Sequence, residues 1–60
     1  MSQVYNPETE QMAQIERLEL EARNIRRRIE HVHNEQDRRV LNKQLLELEE
    51  QISIMQARLP

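Results

Sequence analysis

The apolar residues of this chain form two heptad-spaced runs that are out of phase with each other. In both runs the steps alternate between three and four residues. That spacing is typical of α-helices that pack along a narrow apolar seam, as in coiled coils. The first run comprises Ile15, Leu18, Ala22, Ile25, Ile29 and Val32, with Met12 at its edge, and the second comprises Leu41, Leu45, Leu48, Ile52, Met55 and Leu59.

A turn between the runs reconciles their phases. Val32 and Leu41 are nine residues apart, so one continuous helix, at about 100° per residue, would place them on opposite faces. The stretch 33–37 between them is entirely polar, and Asn34 with Asp37 resembles the cap of a new helix. We predict helix 7–32, a turn at 33–34 and helix 35–59, in one domain (7–60) that follows a short extension (1–6). Asn6 and Pro7 are typical of a helix start.

The numbering of the two runs supports a chain that folds back on itself. Seam residues pair where their numbers add up to about 70, as in Ile29 with Leu41 and Ile15 with Met55. The predicted fold is therefore all-α: an antiparallel, coiled-coil-like two-helix hairpin that dimerises into a four-helix bundle. Because the chain has no Gly, we expect His33 or Asn34 to adopt the left-handed conformation at the turn.

A hairpin of this size needs a further packing surface. Sixty residues without cysteine are near the limit at which a single core is sufficient. The register places Glu19 opposite Glu49 and Arg26 opposite Asn42, so we expect no salt bridge along the flanks of the seam. Four apolar residues off the seam are candidates for a dimer or partner surface: Leu20, Val40, Leu46 and Ile54.

Charge separates the turn from the chain ends. Residues 23–43 have seven basic and three acidic residues, a net charge of +4, whereas residues 1–22 have −4 and residues 44–60 have −2. Two hairpins packed antiparallel would place the basic end of each copy against the acidic end of the other, which favours a homodimer. The alternative partner is a different protein. The alternative is an RNA-binding regulator that contacts phosphates through basic residues near the turn, namely Arg23, Arg26, Arg27, Arg28, Arg38, Arg39 and Lys43.

No residue pattern indicates catalysis, a metal, a cofactor or a small-molecule substrate. His31 and His33 alternate with Glu35 and Asp37, but spacing of two on a helix points side chains apart, so we interpret them as solvated turn residues. Glu47, Glu49 and Glu50 lack a pocket that could make them acid–base catalysts. No apolar segment is long enough to span a membrane and no signal segment is evident, so we expect a cytoplasmic interaction module. Val4 and Tyr5 could cover the open end or contact a partner.

Overall fold

Two long α-helices account for nearly all of the part of the chain that the structure describes. The computed structural model describes residues 7–59, with α1 at Pro7–His31 and α2 at Glu35–Ala57 packed against each other. The predicted all-α hairpin is confirmed, and residues 7–59 contain no strand. The helices end one and two residues earlier than predicted. The predictions for Val4, Tyr5 and Asn6 lie outside the described residues.

Helix α1 has charges that suit both of its ends. Glu8 and Glu10 lie in its first turn, near the positive end of the helix dipole, and Arg28 and His31 lie in its last turn, near the negative end. Pro7 is its first residue, where the missing N–H would have no helical partner in any case. These features stabilise a helix whose apolar stripe is narrow.

Asn34 caps α2, as the sequence predicts. Its side-chain Oδ1 accepts hydrogen bonds from the backbone N–H groups of Gln36, at 2.8 Å, and Asp37, at 3.4 Å. Its carbonyl oxygen accepts the first helical bond, from the N–H of Arg38 at 3.0 Å. The cap therefore satisfies donors that a helix N-terminus otherwise leaves unpaired.

The expectation of a left-handed residue in the turn is wrong. Asn34 has φ −82° and ψ 123°, an extended conformation, and no residue in the range 7–59 has a positive φ. A left-handed residue normally satisfies the last carbonyls of a helix. Here the guanidinium of Arg38 donates from Nη2 to the carbonyl oxygen of Val32 at 3.0 Å, and this contact removes part of the need for glycine.

The core is small and belongs mainly to α1. Ile15, Ala22 and Ile25 are buried, and Ala22, at 1% exposure, is the most enclosed of them. The other seam residues are half-buried, and α2 has no buried residue; the half-buried members are Leu18, Ile29, Val32, Leu41, Leu45, Leu48, Ile52, Met55 and Leu59.

Met12 differs from the other predicted seam residues, because half of its surface is exposed. Continuing the heptad steps back from Ile15 leads to Gln11, four residues earlier, and Gln11 is half-buried. At this end the seam therefore passes through Gln11, and Met12 lies beside it.

The hairpin is a single layer of helices. Its shortest extent is 11 Å, about the diameter of one helix with its side chains. Both broad sides of the layer face solvent, which explains why seam residues of α2 are only half-buried.

Candidate protein-interaction surface

Polar side chains bridge the two helices on one broad side of the hairpin, here named the bridged side. Nη2 of Arg26 lies 3.1 Å from Oε2 of Glu49 in a salt bridge, and Nε2 of Gln56 donates to Oε1 of Glu19 at 3.4 Å. Glu19 and Arg26 are seven residues apart on α1, as are Glu49 and Gln56 on α2. Each pair of residues thus lies on one row of its helix.

The expectation of no flanking salt bridge is therefore wrong. The register places Arg26 opposite Asn42 and Glu19 opposite Glu49, but the long side chains reach diagonally along the seam instead. Arg26 pairs with a glutamate on the other helix, and Glu19 accepts from an amide. The signal in the sequence was the matching seven-residue spacing on both helices, which places four polar groups on the same side.

The opposite broad side, here named the open side, has no such bridges among residues 11–59. Near the turn it has a groove of about 720 Å³, whose apolar lining is Val32, Val40 and Leu41. Toward the chain ends Leu18 and Met55 line a second, smaller groove. Both grooves are open to solvent. The open side is therefore the side on which the apolar seam is least covered.

The four predicted surface residues are all exposed but do not share one face. Val40 and Ile54 are 53% and 46% exposed, and their spacing of fourteen residues, about four helical turns, places both on the open side. Leu46, 67% exposed, is six residues from Val40 and lies about 120° away around the helix. Leu20, 58% exposed, lies two residues from Leu18 and points away from the seam.

The basic residues near the turn are also exposed, and they are divided among several surfaces. Arg26 pairs with Glu49, and Arg38 donates to the carbonyl of Val32. Arg27 and Arg28 line the large groove on the open side, whereas Arg23 lines a groove on the bridged side. Within residues 11–59, the other five members of this basic set form neither a salt bridge nor a side-chain hydrogen bond: Arg23, Arg27, Arg28, Arg39 and Lys43.

Residues 7–59 contain neither a buried polar cluster nor a converging group of metal-ligating side chains. No polar or charged side chain is buried in the described part of the chain. Among residues 7–59 no three His, Asp or Glu side chains converge on a point where an ion could be held, and His31 and His33 are both exposed. What the arrangement can do is pack apolar surface and pair charges.

Neither α1 nor α2 is both long and apolar enough to cross a membrane. No protein-family model, no curated protein and no solved structure matches this chain.

Proposed function

We propose that this protein is a non-enzymatic protein–protein interaction module that acts by helix packing, with a second copy of itself as partner. The observation that carries the proposal is the exposure of apolar residues on a layer one helix thick. Val40 and Ile54 are about half exposed on the open side, next to seam residues that are themselves only half covered. A second pair of helices would cover this surface and complete a four-helix bundle.

Charge supports self-association in one orientation. The end with the turn has a net charge of +4 over residues 23–43, whereas residues 7–22 and 44–59 at the other end have −4 and −2. Two copies packed antiparallel place each positive end beside a negative end, and complementary charges of this kind accelerate and orient association. A parallel pair would bring like charges together at both ends.

The absence of buried polar groups in residues 7–59 supports a non-enzymatic role. Catalytic acids and bases need a partly desolvated pocket that holds a substrate and adjusts proton affinity. The grooves of the hairpin are open, and the side chains on their rims are exposed to water. Such a surface is suited to binding another protein through the apolar area that is buried and the fit between the two surfaces.

Sedimentation velocity and light scattering over micromolar to millimolar concentrations test the proposal. We expect the mass to rise from the monomer value of 7.3 kDa toward twice that value, with helicity rising in parallel. A helical monomer over the whole range would overturn self-association. Progressive assembly without a plateau at two chains would overturn the closed bundle.

RNA binding is a second candidate because five cations near the turn form neither a salt bridge nor a side-chain hydrogen bond within residues 11–59. If they contact phosphates, affinity for single-stranded RNA falls steeply with salt, by about 0.7 logarithmic units per contact for each tenfold rise. Changing Arg27 and Arg28 to Gln should then weaken binding strongly, while Arg58→Gln at the far end should not. Equal effects of these changes, or indifference to salt, would reject this function.

A further inference from the structure

We infer that the second copy docks antiparallel on the open side of α2, with the two-fold axis close to Glu47 and Leu48. The inference rests on the proposed function and makes it specific, because it names the face, the direction and the residues that meet. The docking surface, here named the α2 face, consists of Val40, Leu41, Leu48, Ile54 and Met55.

The α2 face is an apolar stripe that one charged residue, Glu47, interrupts. Successive members are separated by one, seven, six and one residues. This spacing keeps all five on one side of a helix. Three are half-buried against α1, and Val40 and Ile54 extend the stripe outward. Gln44 and Gln51, one turn from these residues, are uncharged. Between Val40 and Ile54, Glu47 is the one charged residue on this row that a partner helix would cover.

On the open side, helix α1 exposes charged side chains instead of an apolar stripe. Arg17 and Glu21 line the groove near the chain ends, and Arg27 and Arg28 line the groove near the turn. Covering four charged side chains with an apolar helix would cost desolvation energy unless each found a partner. The contact between two copies therefore centres on α2.

The bridged side is a poorer docking surface. A partner there would have to cover the Arg26–Glu49 salt bridge, whose side chains are 52% and 47% exposed, and the Glu19–Gln56 hydrogen bond. The attraction between two buried charges seldom exceeds the free energy needed to remove them from water. Leu46, on the part of α2 away from the open side, would remain exposed in the proposed dimer and supplies a control.

The order of residues along α2 selects the antiparallel direction. Val40 and Ile54 lie seven residues on either side of Glu47. An antiparallel pair centred there brings Val40 of each copy to the level of Ile54 of the other. The midpoint between Asp37 and Arg58 in the sequence also lies beside Glu47. The same register therefore places Asp37 of each copy beside Arg58 of the other, so that opposite charges meet at both ends. A parallel pair would instead oppose Asp37 with Asp37 and Arg58 with Arg58.

Glu47 is the one unfavourable element in this register. It lies at the centre of the pair, so the two copies bring two Glu47 carboxylates near each other. Like charges at an interface oppose association. Glu47→Gln should therefore tighten the dimer by a few-fold, although it changes a residue that is exposed in the single hairpin. A partner with basic residues at this level would give the opposite result.

The first experiment compares the dissociation constants of two variants by sedimentation. Val40→Gln with Ile54→Gln removes apolar side chains from the α2 face, and we expect the dimer to weaken by about tenfold or more. Leu46→Gln is the matched control, being a more exposed apolar residue on the same helix, and should change the constant less than about twofold. Helicity measured at high concentration verifies that both variants fold.

The outcomes separate the inference from the proposed function. A wild-type chain that forms no dimer defeats self-association itself. A dimer that persists unchanged in the double variant, or weakens equally with Leu46→Gln, leaves self-association standing and overturns the α2 face as the interface.

The second experiment measures direction with spin labels. The chain has no cysteine, so Glu47→Cys and Asp37→Cys each introduce one label per copy. In the antiparallel dimer the labels at 47 are adjacent, whereas those at 37 lie about 31 Å apart along the helix axis, from 21 residues at 1.5 Å each. Short distances at both positions would show a parallel dimer, and a long distance at 47 would show another face; either result overturns the inference.

Charge exchange gives an independent measurement of the same register. Asp37→Arg alone and Arg58→Asp alone each place like charges together, so each should weaken the dimer by about threefold to tenfold. The double variant restores opposite charges and should recover most of the loss. Failure of the double variant to recover affinity, while it remains helical, would show that these residues do not meet.

Discussion

The guanidinium of Arg26 and the carboxylate of Glu49 meet at 3.1 Å across the two helices. Together with the Gln56–Glu19 hydrogen bond, this contact ties the helices on one side of the seam and leaves the other side without a polar bridge among residues 11–59. A hairpin one helix thick thus acquires two unlike sides, and the open side exposes the apolar side chains of Val40 and Ile54.

The Arg26–Glu49 salt bridge should contribute little to stability. Both side chains are about half exposed, and pairs of this kind typically contribute about 0.2–1 kcal/mol because solvent screens them. A double-mutant cycle with Arg26→Gln and Glu49→Gln, measured by urea denaturation at fixed protein concentration, gives the coupling energy. Glu50→Gln is the control, as a neighbouring exposed carboxylate. A coupling of several kcal/mol, or one that does not decrease in high salt, would contradict this prediction.

The Asn34 cap should contribute more than the salt bridge. Asn34→Ala removes the acceptor of two backbone N–H groups and should lower the free energy of unfolding by about 1 kcal/mol. Asn34→Asp keeps the acceptor and should preserve stability, while Asn42→Ala, an exposed asparagine within α2, serves as control. Equal effects of the Ala variants at 34 and 42 would show that the cap does not stabilise the helix.

Glycine in the turn should not stabilise this protein. Neither His33 nor Asn34 has a positive φ, so His33→Gly relieves no strain and increases the freedom of the unfolded chain, at a cost of roughly 0.4–1 kcal/mol. Thermal unfolding of the two chains at one concentration measures the difference. A variant more stable than the wild type would indicate a left-handed residue at this position.

Ala22 should be the position least tolerant of a larger side chain. It is 1% exposed, and Ala22→Leu should destabilise the hairpin by about 1–3 kcal/mol because the enclosed position has no room for the added atoms. Ala13→Leu places the same change on an exposed part of α1 and should alter stability by less than about 0.5 kcal/mol. If both variants unfold at the same urea concentration, the enclosure of Ala22 does not limit the size of its side chain.

Ile15 and Met12 should differ sharply when each is changed to alanine. Ile15 is 6% exposed, whereas Met12 is 50% exposed. Loss of a buried isoleucine typically costs about 2–5 kcal/mol, although the thin layer of this hairpin favours the lower value. Met12→Ala should be nearly neutral, because alanine is also a good helix former. If urea denaturation shows that the two variants lose similar amounts of unfolding free energy, Met12 packs in the seam as Ile15 does.

Local patterns in the sequence determined the helices, the turn and the seam. The alternating steps from Ile15 to Val32 and from Leu41 to Leu59 specify two amphipathic helices, and their phase difference requires a reversal between them. Asn34 was recognisable as a cap because its side chain acts on backbone groups only two and three residues away. Such properties depend on neighbours in the chain, so sequence spacing is sufficient to predict them.

Only the tertiary structure decided how side chains meet across the helices. Arg26 has several turns of α2 within reach, and the diagonal contact with Glu49 depends on the relative position of the two helices, which residue spacing does not specify. The same holds for Arg38, whose contact with the carbonyl of Val32 replaced the left-handed residue expected in the turn. Because these side chains are long, their partners depend on how the two helices pack, and the contacts of Arg26 and Glu19 distinguish the bridged side from the open side.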